Sequence, residues 1–239
     1  MIKDKFIITT LIYFVILLIS SILDNLIGYN IISIITKILI ILYCFKLMKK
    51  AKIKPFNKDL NIIYIIIAIT PFLLNLGIYF GPINQTNNIL LIVSSLIGII
   101  TTVLWEELHF RVLSTNQKKK LTHKRILLIV LMFGLTHFIH VLLNPSNLIS
   151  ELFKLVLYLS VGYLSLGIYL NTKNITYSLV FNLLFNITPL IFNLFSNNPG
   201  CFGNTITQIF FYSSIVIYTI VGYLEVREYL QKEKKWKRN

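Results

Sequence analysis

Apolar runs of about 20 residues recur along the whole sequence, and such runs dominate what a chain can fold into. A helix needs roughly that many residues to cross ~30 Å of hydrocarbon, and it satisfies its own backbone groups while doing so. Spans are expected near 6–23, 27–45, 60–80, 89–110, 125–143, 148–170, 174–195 and 206–224. The fold class is therefore all-α, a polytopic integral membrane protein with about eight transmembrane helices. Composition agrees: 56% of residues are hydrophobic, only 13% are charged, and the mean hydropathy is +0.75. That balance excludes a soluble globular enzyme, a disordered chain, a disulfide-stapled module and a coiled coil.

The basic residues orient the bundle. Of 23 Lys and Arg, all but Lys37 and Lys154 fall in alternate connections: the N-terminus, Lys46 to Lys58, Arg111 to Arg125, Lys173, and Arg227 to Arg238. The intervening loops 24–26, 81–88, 144–147 and 196–205 carry none. By the positive-inside rule both termini are cytoplasmic. The net charge of +14 then meets anionic lipid headgroups at the cytoplasmic loops and implies no nucleic-acid partner. Lys3 and Lys5 before the first span resemble the start of a signal peptide. The stretch Ser20-Ser21-Ile22-Leu23-Asp24 is a poor cleavage site, so this helix is expected to be retained. Cys44 and Cys201 fall on opposite sides of the membrane in this topology, and no disulfide joins them. We read residues 1–239 as one membrane domain of a multi-pass cell-membrane protein, with a basic cytoplasmic tail at 225–239.

Ionisable groups are expensive at membrane depth, roughly 2.5–3.5 kcal/mol each on insertion scales, so their placement carries information. Here they cluster. The fourth span ends Trp105-Glu106-Glu107-Leu108-His109-Phe110-Arg111, the fifth holds Phe133-Gly134-Leu135-Thr136-His137-Phe138-Ile139-His140, and the seventh holds Phe181-Asn182-Leu183-Leu184-Phe185-Asn186. Residues four apart share a helix face, so Glu107 pairs with Arg111 while Glu106 points elsewhere, on the side of His109. One carboxylate is a structural partner and the other is left to face a cavity, where it can act as a general base. Against this stands an ion network of both glutamates with Arg111. His137, about 18 Å into its span, is either an interhelical hydrogen-bonder or a partner of Glu106. Asn182 and Asn186 share a face, either gluing helices or donating amides to an oxyanion. His109 is expected in a wet cavity mouth, and Lys37 has no evident partner.

Other intramembrane chemistries lack their residues. No His-Glu-x-x-His helix and no Gly-x-Ser-x-Gly elbow is present. The aspartates Asp4, Asp24 and Asp59 sit at span ends. A zinc site on Glu106, His137 and His140 is a minor alternative; no cofactor is expected otherwise.

The order Glu106-Glu107-x-x-x-Arg111, then Phe133-x-x-x-His137, then a polar pair on a later helix, resembles the CPBP family. These are the CAAX-protease and bacteriocin-processing (Abi) intramembrane glutamate proteases, and the similarity spans about residues 90–200. The resemblance implies that Glu106 activates water with help from His137, that Glu107 and Arg111 support the site, and that the third motif lines an oxyanion site. That motif is His-x-x-x-Asn in the family and Asn182-x-x-x-Asn186 here. An Asn donates a hydrogen bond but cannot titrate, so any acid–base role of that position is lost. The implied activity is hydrolysis of a membrane-associated peptide or protein in peptide maturation or bacteriocin self-immunity. A non-catalytic scaffold or immunity protein of the same fold is the alternative, and a proton-coupled transporter using Glu106, His137 and Lys37 is a third reading. The glutamates of the fourth span would then lie near the inner leaflet, with the cavity open to the cytoplasm.

Overall fold

The computed structural model describes residues 5–28, 30–56, 61–74, 89–116, 121–143, 148–195 and 205–236. Among these the chain is helical, with no strand. The helices are α1 (Lys5–Ile27), α2 (Ile31–Ala51), α3 (Ile62–Leu74), α4 (Ile89–Glu106), α5 (His123–Leu143), α6 (Leu148–Thr172), α7 (Ile175–Phe195) and α8 (Thr205–Trp236). Each coincides with an expected span to within a few residues, apart from the longer C-terminal ends of α2 and α8 and the third span's residues 75–80, which lie outside the described residues. Five segments are long and apolar enough to cross a membrane: Phe6–Ile27, Ile31–Ala51, Ile92–Leu113, Glu151–Thr172 and Gln208–Lys235. Ile62–Phe72 and Ile175–Thr188 are apolar but shorter. Cys201, Lys58, the run 118–120 and the side chain of His140 lie outside the described residues; Cys44 is a buried free thiol.

The burial pattern is that of a bundle solvated by lipid. Large apolar side chains face outward along the helices, as with Ile19, Leu39, Ile66, Leu131 and Ile220, all more than half exposed. Polar side chains such as Thr10, Glu107, Ser165 and Ser178 are fully buried. In hydrocarbon an outward Leu costs nothing and an outward carboxylate is prohibitive, so the inside–outside rule of soluble proteins is partly inverted.

Two connections show why the elements stop where they do. Gly28 has φ of 81°, a left-handed conformation that costs glycine little. It closes α1 with a bond from its amide to the Asp24 carbonyl at 2.8 Å. The Asp24 carboxylate then accepts the amides of Ile32 at 2.8 Å and Ser33 at 2.9 Å, satisfying orphan donors at the start of α2. At the other end of α2, Lys52 is left-handed, and the amide of Ile53 donates back to the Met48 carbonyl at 3.0 Å, a Schellman closure.

The last span, expected to end at 224, continues as α8 into the basic tail, helical to Trp236, with Val226 and Tyr229 buried and Lys232, Lys234 and Lys235 exposed. Its anchor is α6. Asn171 Nδ2 donates to the Glu225 carboxylate at 2.6 Å, and Tyr64 of α3 donates to the same group at 3.1 Å. The two long helices approach closely at glycines. A Cβ on Gly222 would stand 2.9 Å from the Leu164 amide nitrogen, and one on Gly167 would stand 2.7 Å from the Glu225 Cβ. Membrane helix interfaces rely on such small residues because packing, not water exclusion, holds them together. Gly222→Ala should therefore lower stability by about 1–3 kcal/mol, since the backbone of α6 cannot give way. Gly98→Ala, where a Cβ meets nothing within 4 Å, should be neutral or mildly stabilising. Thermal unfolding of the two variants in detergent compares them.

Candidate active site

The site begins where α4 changes its pitch. After Glu106 the chain enters a π-helical segment, Glu107–Leu113, and the amide of Ser114 donates to the His109 carbonyl five residues back. Wide turns of this kind are rare and concentrate at functional sites. Here the turn separates the roles of the two adjacent glutamates.

Glu107 is the hub of a buried polar cluster. Its Oε1 lies 3.3 Å from Arg111 Nε, the pair expected from their spacing. Ser178 of α7 donates to Oε2 at 2.5 Å, and Asn182, one turn along α7, donates to Oε1. Arg111 also stacks over the ring of Phe133 on α5, 4.5 Å from its centroid. These contacts tie α4, α5 and α7 to one carboxylate with no measurable exposure. Such a charge persists only when paired and hydrogen-bonded.

Glu106 takes a different direction, into a cavity of about 500 Å³. His137 of α5 faces it, with Nε2 3.7 Å from Glu106 Oε1. The other ring nitrogen, Nδ1, lies 3.2 Å from the Phe133 carbonyl. A carbonyl only accepts, so Nδ1 donates to it when protonated, and Nε2 is the ring nitrogen that faces Glu106. At 3.7 Å the two groups do not bond directly, and a water beside them can reach both at ordinary lengths. The ring of Tyr158 from α6 packs on His137 at 4.0 Å. Asn186 of α7 also lines the cavity; its Nδ2 donates to the Asn182 carbonyl at 2.8 Å. An amide nitrogen has two hydrogens, so one remains for a ligand.

Glu106, His137 and Asn186 thus share one cavity, while Glu107 and Arg111 lie behind it. Asn182, expected beside Asn186 at the oxyanion, is instead committed to Glu107 and does not line the cavity. One turn of α7 separates the two residues, and the buried carboxylate captures the nearer amide. His109 is not in a cavity mouth. Its Nε2 lies 2.8 Å from Thr10 Oγ1, and its ring packs on Phe6 and Tyr13 of α1, because the π turn swings it away from Glu106. Lys37, without a partner in the sequence, lines the cavity and feels the charges of Glu106 and Asp24. Two contributors escaped the sequence reading. Ser178 is legible in hindsight from the four-residue spacing Ser178-x-x-x-Asn182-x-x-x-Asn186, whereas Tyr158 carries no such signal. Among the described residues, no group of three or more His, Cys, Asp or Glu side chains is placed to hold a metal.

Residues 87–188 match the Rce1-like family, type II CAAX prenyl endopeptidase Rce1-like. That stretch, somewhat under half of the chain, is thus similar to the CAAX-type proteases of the CPBP group, and the side chains described above on the π turn, α5, α6 and α7 lie within it. No curated protein and no solved structure matches the chain.

The hub makes a testable demand. Arg111→Met leaves the Glu107 charge buried without its cation and should destabilise the protein by about 3–5 kcal/mol. Adding Glu107→Gln to that variant should recover much of the loss. A double-mutant cycle of thermal unfolding in detergent measures the coupling, and additive effects would deny that the two side chains act as a pair.

Proposed function

We propose that this protein is an intramembrane endopeptidase of the glutamate type, in which Glu106 and His137 activate a water molecule. The observation that carries the reading is a carboxylate and an imidazole that face each other across 3.7 Å at a cavity. Nothing in packing requires two such groups to meet there, and a structural ion pair is already provided by Glu107 and Arg111.

Glu106 removes a proton from the water, and the oxygen attacks the carbonyl carbon of the substrate peptide. The carbonyl π electrons move onto its oxygen, which meets the remaining N–H of Asn186. Collapse of the tetrahedral intermediate breaks the C–N bond, and the proton held by Glu106 passes to the departing nitrogen. His137, fixed by its Nδ1 contact, orients the water through Nε2. Tyr158 packs the imidazole in place. The wall behind these groups, from Arg111 and Phe133 to Glu107 and Asn182, keeps their geometry without touching the reacting atoms.

The asparagine that stands at the family's histidine position is compatible with this reading. Asn182 serves the Glu107 hub, and an amide meets that demand for a donor as well as an imidazole does. The cavity loses no acid or base through the change. The substrate class is a membrane-associated peptide or protein, the setting is the cell membrane, and the role is peptide maturation or bacteriocin self-immunity.

Glu106→Gln should abolish cleavage while leaving protein abundance unchanged. Asn186→Ala should lower kcat by about 10²–10³, the usual effect of losing one oxyanion donor. Asn182→Ala should act first on folding, costing about 1–3 kcal/mol for an acceptor left unsatisfied. Peptide processing by purified variants in nanodiscs, with thermal unfolding in parallel, separates the three. Undiminished cleavage by Glu106→Gln would refute the mechanism.

A further inference from the structure

Among the described residues, the lining of the cavity at Glu106 runs toward one end of the bundle. On α4 its walls run from Glu106 back through Thr102 and Gly98 to Ser95, about 16 Å toward the start of the helix at 1.5 Å per residue. From α1 and α2 it receives Ser21, Asp24, Asn25, Asn30, Ser33 and Lys37, all near the turn that joins the two helices. From α5 it receives Thr136, His137, Ile139 and Leu143, again running toward the same end. A passage lined by hydroxyls, amides, a carboxylate and an ammonium at membrane depth is stable only if water fills it.

The opposite direction is sealed. Beyond Glu106, toward Arg111, lie Leu108, Phe110, Val112 and Phe133, none more than 2% exposed. Trp105 and Phe133 each meet the Phe110 ring, with centroids 5.6 and 5.4 Å apart. Arg111 and Phe133 close the layer from behind.

The open end is that of the α1–α2 turn, whose loop carries no Lys or Arg; the sealed end is that of the basic connections. With the orientation set by those charges, the geometry points to a peptidase chamber that takes its substrate from the non-cytoplasmic face. The expected cytoplasmic opening is thereby reversed. The occupant is a polypeptide segment presented from outside the cell or during export, drawn through the polar arm between α1, α2 and α4 until its carbonyl reaches Glu106. The identity of that occupant rests on the peptidase reading; the side of entry does not.

The test uses the full chain, with Cys44→Ala and Cys201→Ser, in intact cells and in inverted membrane vesicles. Single cysteines are placed at Gly98 and Thr102, deep in the arm, and at Lys124, on the basic end. Gly98→Cys is chosen because a side chain there meets nothing within 4 Å, and Thr102→Cys is the second variant if one fails to fold. The probe is a membrane-impermeant sulfonated methanethiosulfonate, which reacts only with a thiolate that water reaches. Gly98→Cys and Thr102→Cys should react about ten-fold or more faster in intact cells than in vesicles, and Lys124→Cys only in vesicles. Reaction of the arm cysteines from the vesicle side alone, or from neither side in folded protein, overturns the proposal. A chain that labels from outside yet cleaves no peptide would keep this entry and lose the peptidase reading instead.

Discussion

A single buried carboxylate organises this protein. Glu107 sits without solvent between Arg111, Ser178 and Asn182, and removing any partner would leave charge or hydrogen-bonding capacity stranded in a medium that cannot supply water. That penalty specifies geometry. α7 must present Ser178 and Asn182 on one face at one height, α5 must bring Phe133 under the guanidinium, and the chain must widen into a π turn. The bundle's registration is thus fixed by polar satisfaction more than by apolar fit, since lipid tails and leucines attract each other about equally.

Once that hub is built, the neighbouring glutamate is free. Glu106 differs from Glu107 by one residue, yet it faces a cavity that His137 and Asn186 also line. Two identical side chains therefore have separate employment because one is saturated and the other is not. The same logic accounts for Asn182. Its amide is spent on the hub, so a residue that looks catalytic by motif faces Glu107 rather than the cavity.

The electrostatic layout also gives the chamber a direction. Aromatic packing closes one side of Glu106, and polar side chains from the α1–α2 turn open the other. Asp24 serves both ends of this design: it caps α2 through two backbone amides and contributes to the wet wall of the passage. α1, itself long and apolar enough to cross a membrane, is accordingly part of the site's architecture through the Thr10–His109 contact and the cavity wall.

Much of this was legible in the residues. Helix number and approximate bounds follow from span length, because every backbone group in hydrocarbon must bond within its own helix. The Glu107–Arg111 pair follows from four-residue spacing, and the functional cluster follows from the cost of placing ionisable groups in lipid. The direction of the cavity, the commitment of Asn182, the burial of His109, the part played by Tyr158 and the helical continuation past residue 225 did not follow. Each depends on which neighbour a side chain meets across helices, and sequence periodicity describes one helix at a time. Local chemistry determined which residues had to be inside; only tertiary packing decided which of them would satisfy each other and which would be left to face water.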